Sequence, residues 1–195
     1  MIHPVIRLPF VCEPVALHQF GRPDCPDERR TALREATYIR RTQFTKEGRT
    51  LHDFTMRGED LFTLIPILPD DAPDWVNRPY LRWQLADEAA ELTDRPNEVR
   101  AWHVCGDLKP SLTRGEWVDQ VEAMTRAALP KGTVAEIAIH VPRDKPPHAH
   151  VLVAARYPAR RCYGRLCPVL GTQLGDRLGG AWLKWLEAAE ARVAQ

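Results

Sequence analysis

The sequence predicts an α+β domain in which a small antiparallel β-sheet is covered by helices. Three observations carry that expectation. Residues 133–141 and 148–155 are two apolar, alternating segments joined by a six-residue loop with a double proline, which reads as a β-hairpin. Thr113-Arg-Gly-Glu116 matches a helix capping box, and Trp117, Val121, Met124 and Ala128 follow as a helical apolar stripe. A chain of 195 residues with 44% hydrophobic and 27% charged content is sized and composed as one soluble globular domain, residues 1–195.

The elements follow in chain order. Residues 5–10 form a short apolar segment broken by prolines and predict a first strand. Asp27 is placed to cap a helix reaching Arg41, with Leu33, Ala36 and Ile39 as apolar positions. Residues 42–51 contain Gly48 and predict a turn or short hairpin. Residues 61–68 predict a strand that Pro66 confines to an edge or makes irregular. A proline-punctuated loop precedes a helix over residues 75–93, with Tyr80, Trp83, Gln84 and Asp87 along one line. Residues 99–105 alternate weakly and predict a strand, ahead of the capped helix that Pro130 and Gly132 close. In the first arm of the hairpin, Ala135, Ile137, Ile139 and Val141 share one face, and Val134, Glu136, Ala138 and His140 share the other. Residues 180–195 predict a C-terminal helix with Trp182, Trp185, Leu186 and Ala189 inward.

No apolar run approaches the roughly 18 residues of a membrane helix, and the N-terminus lacks a signal-peptide layout, so a cytoplasmic protein with no membrane partner is expected. The five cysteines lack CxxC spacing, so neither a zinc knuckle nor a disulfide framework is indicated. The net charge is +1, but the basic residues are clustered. One cluster holds Arg34, Arg40 and Arg41, and another holds Arg156, Arg160 and Arg161. That asymmetry fits either one positive face or an ordinary mixed surface.

The chemistry centres on His140-Val-Pro-Arg-Asp-Lys-Pro-Pro-His148-Ala-His150. Side chains at i and i+2 of a strand leave the same face, so His148 and His150 point together, and His140 ends the neighbouring arm. Pro146 and Pro147 stiffen the loop. Three convergent imidazoles without a fourth protein ligand describe an open, catalytic metal site that keeps positions for phosphate oxygens. Such residues on a wet hairpin face are the plainer alternative. An unrelated metalloenzyme, such as an oxygenase, would need a carboxylate ligand, for which Asp144 is the near candidate. A phosphoryl-transfer centre needs a nucleophile, and Tyr38 lies within the first basic cluster, although spacing alone favours an ordinary helix tyrosine.

The histidine run, with proline before the pair and Ala155-Arg156 after the strand, resembles the signature of MobA/MobL-type (MobQ-like) relaxases of the HUH endonuclease superfamily. Ala36-Thr-Tyr38-Ile-Arg40 with Leu51-His-Asp53 resembles the stretch that bears the nucleophilic tyrosine of that family. Leu68-Pro-x-x-Ala-Pro-Asp-Trp75 resembles its loop before a helix, and Gly132-Thr-Val-Ala-Glu-Ile-Ala-Ile-His140 its strand to the first histidine. These matches cover about residues 30–156.

The resemblance implies a relaxase-like fold with an RRM-like core. It makes His140, His148 and His150 ligands of a divalent ion (Mn²⁺, Mg²⁺ or Zn²⁺) and Tyr38 the nucleophile. The implied reaction nicks single-stranded DNA at an origin-of-transfer site, leaving a 5′-phosphotyrosyl link, with accessory mobilisation proteins as further partners. It also implies a bacterial, mobile-element source. A rolling-circle replication initiator and a relaxase-like DNA-binding protein without cleavage are the alternatives. Charge makes Arg34, Arg40, Arg41, Arg156 and Arg160 the expected DNA contacts. Family members carry carboxylates in a Glu-x-Glu-like pattern ahead of the capped helix. Here the segment reads Arg100-Ala-Trp-His103-Val-Cys-Gly-Asp107-Leu-Lys-Pro110, so His103 or Asp107 is expected to support the ligands instead. No helicase or primase region follows, and a stand-alone domain is expected.

Overall fold

A computed structural model describes residues 8–16, 30–95 and 97–193. Five strands form one antiparallel sheet: β1 (Phe10–Val15), β4 (Leu61–Ile67), β5 (Ala101–Asp107), β6 (Ala135–His140) and β7 (His148–Ala154), in the order β1-β5-β7-β6-β4. The sheet is covered on both faces. Helices α1 (Ala32–Ile39) and α2 (Pro79–Glu91) pack on one, and α3 (Arg114–Ala128) and α4 (Pro168–Val193) on the other. The expected α+β class is therefore the observed one.

Two apolar layers follow the alternation of the strands. Ile137, Ile139, Ala149, Val151 and Val153 meet Trp117, Val121 and Met124 of α3 and Leu174, Leu178 and Trp182 of α4. Ala138, Leu152 and Ala154 meet Leu33, Ala36 and Ile39 of α1 and Trp83 and Ala86 of α2. The anticipated hairpin forms in a register that pairs His140 with His148 and Ala138 with His150. Pro66 sits on β4, an edge strand bonded only to β6, where its missing N–H deprives no neighbour. The capping box also forms: Thr113 N–H donates to Glu116 at 2.8 Å, and the Thr113 hydroxyl accepts from Glu116 N–H at 3.3 Å.

Several expectations shift. The first strand is Phe10–Val15, later than residues 5–10, of which 5–7 lie outside the described residues. Asp27 also lies outside them, and Thr31 caps α1 by accepting from Arg34 N–H. The helix expected over residues 75–93 is split into a 3-10 turn, Asp74–Asn77, and α2, because Pro79 starts a new helix at its first turn. Residues 42–51 form the hairpin β2 (Gln43–Lys46) and β3 (Arg49–Asp53). A second hairpin, β8 (Arg156–Pro158) with β9 (Tyr163–Leu166), has no counterpart in the sequence reading. The C-terminal helix starts at Pro168, well before residue 180. Its glycines hide it from pattern reading, yet they permit close contact: Gly175 and Gly179 face Cys12 and Phe10 of β1. Trp182 of the same helix lies over Gly106 of β5, where an added Cβ would come within 2.3 Å of the indole.

Helix α1 is short, and both of its ends are held by other elements. The Asp87 carboxylate on α2 accepts the Ala32 and Leu33 N–H groups at 2.7 and 3.0 Å and pairs with Arg100. At the other end Arg40 pairs with Glu136, a fully buried carboxylate on β6 that also faces Arg82. An eight-residue helix is marginal by itself, so these clamps fix where its side chains point. Replacing Asp87 with Ala would leave two buried N–H groups without an acceptor. A loss of about 2 kcal/mol or more is expected in urea unfolding, and an unchanged midpoint would show that α1 does not depend on this clamp.

Candidate metal and nucleophile site

The register of β5, β7 and β6 assembles the site. His140 and His148 are direct partners across β6 and β7, and His150 lies two residues further along β7 on the same face. All three are buried, and each offers one nitrogen within 4.8 Å of the others. The ring centroids are 4.7 Å apart for His140 and His150, 5.0 Å for His148 and His150, and 5.4 Å for His140 and His148. No carboxylate joins this cluster among the described residues, so Asp144 does not supply the ligand that an oxygenase-type set requires.

The hydrogen bonds behind the imidazoles assign their roles. His148 Nδ1 lies 3.0 Å from the Pro146 carbonyl, which can only accept, so Nδ1 donates and Nε2 keeps its lone pair. His150 Nδ1 lies 2.9 Å from His103 Nε2, and His103 Nδ1 lies 3.1 Å from a Glu35 oxygen. Arg30 Nη2 also lies 3.1 Å from His103 Nδ1, but Arg30 is bonded to Glu35 through Nε. With that guanidinium on the carboxylate and a proton on each Nδ1, His150 donates to His103 and His103 donates to Glu35. His150 Nε2 is then left as a lone pair. That atom is buried and has no protein partner. A buried nitrogen without a partner is costly unless something else occupies it, and a metal ion fits the donor set. The three neutral imidazoles therefore suit a divalent cation of the Mn, Co, Ni, Zn or Cu type.

His103 or Asp107 was expected to support the histidines, and the structure puts a carboxylate behind His103, Glu35. It projects from α1, three residues before Tyr38, and reaches His150 through His103, which on β5 stands opposite Leu152 of β7. Burial alone would raise its carboxyl. The hydrogen bond from His103, together with Arg30, instead holds it well below the ordinary carboxylate range. The signal for Glu35 was its i, i+3 spacing from the tyrosine, which puts both on one helix face. Asp107 stands opposite His148 in the register but is outside the three-histidine cluster.

Tyr38 is half-buried beside the triad, with its ring centroid 5.5 Å from that of His150 and 5.4 Å from that of Phe54. The ring forms a wall shared by two cavities. One, of about 180 Å³, is lined by Arg41, Arg57, Lys145, His148 and His150. The other, of about 400 Å³, is lined by Arg30, Arg34, Glu35, Phe54 and His103. Arg57 and Lys145 were not singled out in the sequence: neither belongs to a basic cluster, and Lys145 is a lone lysine in the histidine loop.

The five arginines expected at DNA separate. Arg34 and Arg41 line the cavities beside Tyr38. Arg40 is engaged with buried Glu136, and Arg156 with Glu98 at 2.6 Å. Arg160 lies in the exposed turn of the β8–β9 hairpin, beyond the end of β7 opposite to the histidines. No disulfide joins the described cysteines Cys12, Cys105, Cys162 and Cys167, and the Cys167 thiol donates a hydrogen bond to the Tyr157 hydroxyl. Among the described residues no helix is long and apolar enough to cross a membrane.

Comparison with known proteins bears on the whole arrangement. A family model described as the MobA/MobL family matches residues 30–163. A solved structure described as the molecular basis of vancomycin resistance transfer in Staphylococcus aureus is similar in fold, with a TM-score of 0.65 at 15% identity over 92% of each chain. No curated protein sequence matches.

Burial, and then the charge of Arg41, push the His140 imidazole from 6.5 down to about 3, and burial pushes His150 well below 6.5. Both rings are neutral in the folded protein, whereas the unfolded chain protonates them near their ordinary value. A depressed folded pKa contributes stability that is present above the unfolded value and lost as pH falls. With no divalent ion added, stability should decline from about pH 6.5 downward, His140 alone accounting for about 2 kcal/mol at pH 5. Urea unfolding at about pH 7.5 and pH 5 tests this, and equal stabilities would contradict it.

Proposed function

The chain belongs to the MobA/MobL family, and on that premise we propose that it is a metal-dependent DNA nickase and strand transferase of the relaxase type. Its substrate is single-stranded DNA at an origin-of-transfer nick site, in plasmid mobilisation with accessory proteins, in a bacterial cytoplasm. The observation that carries the reading is the buried three-histidine cluster, with the partnerless Nε2 of His150, beside the ring of Tyr38.

Tyr38 is the nucleophile in this reading. Its hydroxyl oxygen attacks the phosphorus of one phosphodiester, forming a Tyr38 Oη–P bond as the P–O3′ bond breaks. The phenolic proton is lost and the leaving 3′-oxygen takes one up, giving a 5′-phosphotyrosyl link and a free 3′-hydroxyl. The link remains a phosphodiester, so the strand can be rejoined. His140, His148 and His150 would hold the divalent ion, which would polarise the phosphoryl oxygens and offset the charge that develops there.

The protein groups have separable tasks. Arg41, Arg57 and Lys145 gather phosphate charge in the smaller cavity. Arg34 and Phe54 wall the larger one, where a flanking nucleotide can stack and meet a guanidinium. Glu35, through His103, fixes the tautomer and direction of His150. Arg40, Arg156 and Arg160 are not needed for this reading, since two hold internal carboxylates and the third is remote.

The test is incubation of the protein with a random-sequence pool of single-stranded oligonucleotides across Mn²⁺, Mg²⁺ and Zn²⁺, with covalent adducts resolved on denaturing gels. A metal-dependent adduct is expected, absent in Tyr38→Phe and in His150→Ala. An adduct persisting in Tyr38→Phe would remove Tyr38 from its role. Metal binding with no adduct in the wild type would favour a DNA-binding protein that does not cleave. Glu35→Gln weakens the acceptor behind His103 and should lower metal affinity about 10-fold or more, measured by titration calorimetry with Mn²⁺; an unchanged affinity would make the relay purely structural.

A further inference from the structure

His140 differs from His150 in having no lone pair to spare. Its Nε2 lies 2.7 Å from the Ile39 carbonyl, which only accepts, so Nε2 carries the proton. Its Nδ1 lies 3.0 Å from Arg41 Nη2, which only donates, so Nδ1 is the lone pair and a cation already holds it. His150 is placed differently: its Nδ1 donates backward to His103, and its Nε2 has no protein partner.

The guanidinium is held in place by the fold. Arg41 is 4% exposed and hydrogen-bonded to the Tyr38 carbonyl at 3.3 Å, and it lies over the Tyr38 ring at 4.5 Å from its centroid. Its backbone φ is 54°, a left-handed conformation that side-chain-bearing residues adopt at a cost. Helices commonly end on such a residue, but it is usually glycine or asparagine. Here an arginine takes the strain, and its side chain is turned back onto the histidines.

We propose that Arg41 couples metal binding to DNA binding: its guanidinium occupies the His140 lone pair and opposes a divalent cation until a phosphodiester draws it away. The proposal rests on the metal-centre reading above. A guanidinium and a metal ion cannot share one lone pair, and at such separations their charges repel. Arg41 also lines the cavity that holds Arg57 and Lys145 and opens on Tyr38. A phosphate entering that cavity offers two oxygens to the planar guanidinium, a better partner than one imidazole nitrogen. Moving onto the phosphate frees Nδ1. Because coupling between two ligands is reciprocal, the metal then tightens DNA binding by the same factor.

The experiment is Mn²⁺ titration by calorimetry of the wild type, Arg41→Asn, Arg41→Gly and His150→Ala, each with and without a 30-nucleotide oligo-dT strand. Asn and Gly suit the left-handed backbone, so loss of fold is not expected, and circular dichroism checks it. Without DNA, both Arg41 variants should bind Mn²⁺ about 10-fold tighter or more than the wild type, the scale of one charge-assisted hydrogen bond. Oligo-dT should tighten Mn²⁺ binding by a larger factor in the wild type than in either Arg41 variant, and an equal factor in both would overturn the coupling. Folded Arg41 variants with unchanged or weaker Mn²⁺ affinity, while His150→Ala abolishes binding, would overturn the coupling and leave the metal centre standing. No Mn²⁺ binding by any folded chain, or binding indifferent to His150→Ala, would overturn the metal centre itself.

Discussion

The antiparallel register of β7 between β5 and β6 is the constraint on which the rest of the structure depends. It sets His148 against His140 and Asp107, and His150 against Ala138 and Cys105. A slip of one residue would turn both β7 histidines onto the face covered by α3 and α4 and bring Ala149 and Val151 to the other. The apolar layer formed by Ile137, Ile139, Val151 and Val153 with Trp117 and Leu178 opposes that slip, because it would expose β-branched side chains to the polar site. The same packing that stabilises the domain therefore aims its imidazoles.

Helix α1 supplies what the sheet lacks. From eight residues it gives the tyrosine beside the triad, the carboxylate behind His103 and, just past its end, the guanidinium on His140. So short a helix holds these groups only because Asp87 binds its first N–H groups and Glu136 binds Arg40 at its last turn. Ion pairs of this kind contribute to placement more than to stability, since burying Glu136 and two guanidinium groups carries a desolvation cost that their attraction must offset.

The sequence made much of this legible. Alternation over residues 133–141 and 148–155 specified the hairpin and the shared face of its histidines, and the capping box marked α3. Tyr38 stood out through its family-like surroundings rather than through spacing. What stayed hidden is tertiary in origin. No local pattern tells that Arg40 and Arg156 are consumed by Glu136 and Glu98, or that Arg57 and Lys145 reach the tyrosine. The N-terminal half of α4 was obscured by glycines whose role is close contact with β1. Support for the histidines was expected from His103 or Asp107 on β5, whereas the carboxylate behind His103 is Glu35, across the site on α1, which no local pattern links to β5.

In the proposed site His140, His148 and His150 together hold one divalent ion through imidazole nitrogens. X-ray absorption spectroscopy on the Mn²⁺-loaded protein, with a DNA strand present, measures that directly. Three imidazole nitrogens are expected in the first coordination sphere, with oxygens completing it. A sphere of oxygens alone, or one unchanged when His140, His148 and His150 are replaced together, would contradict it.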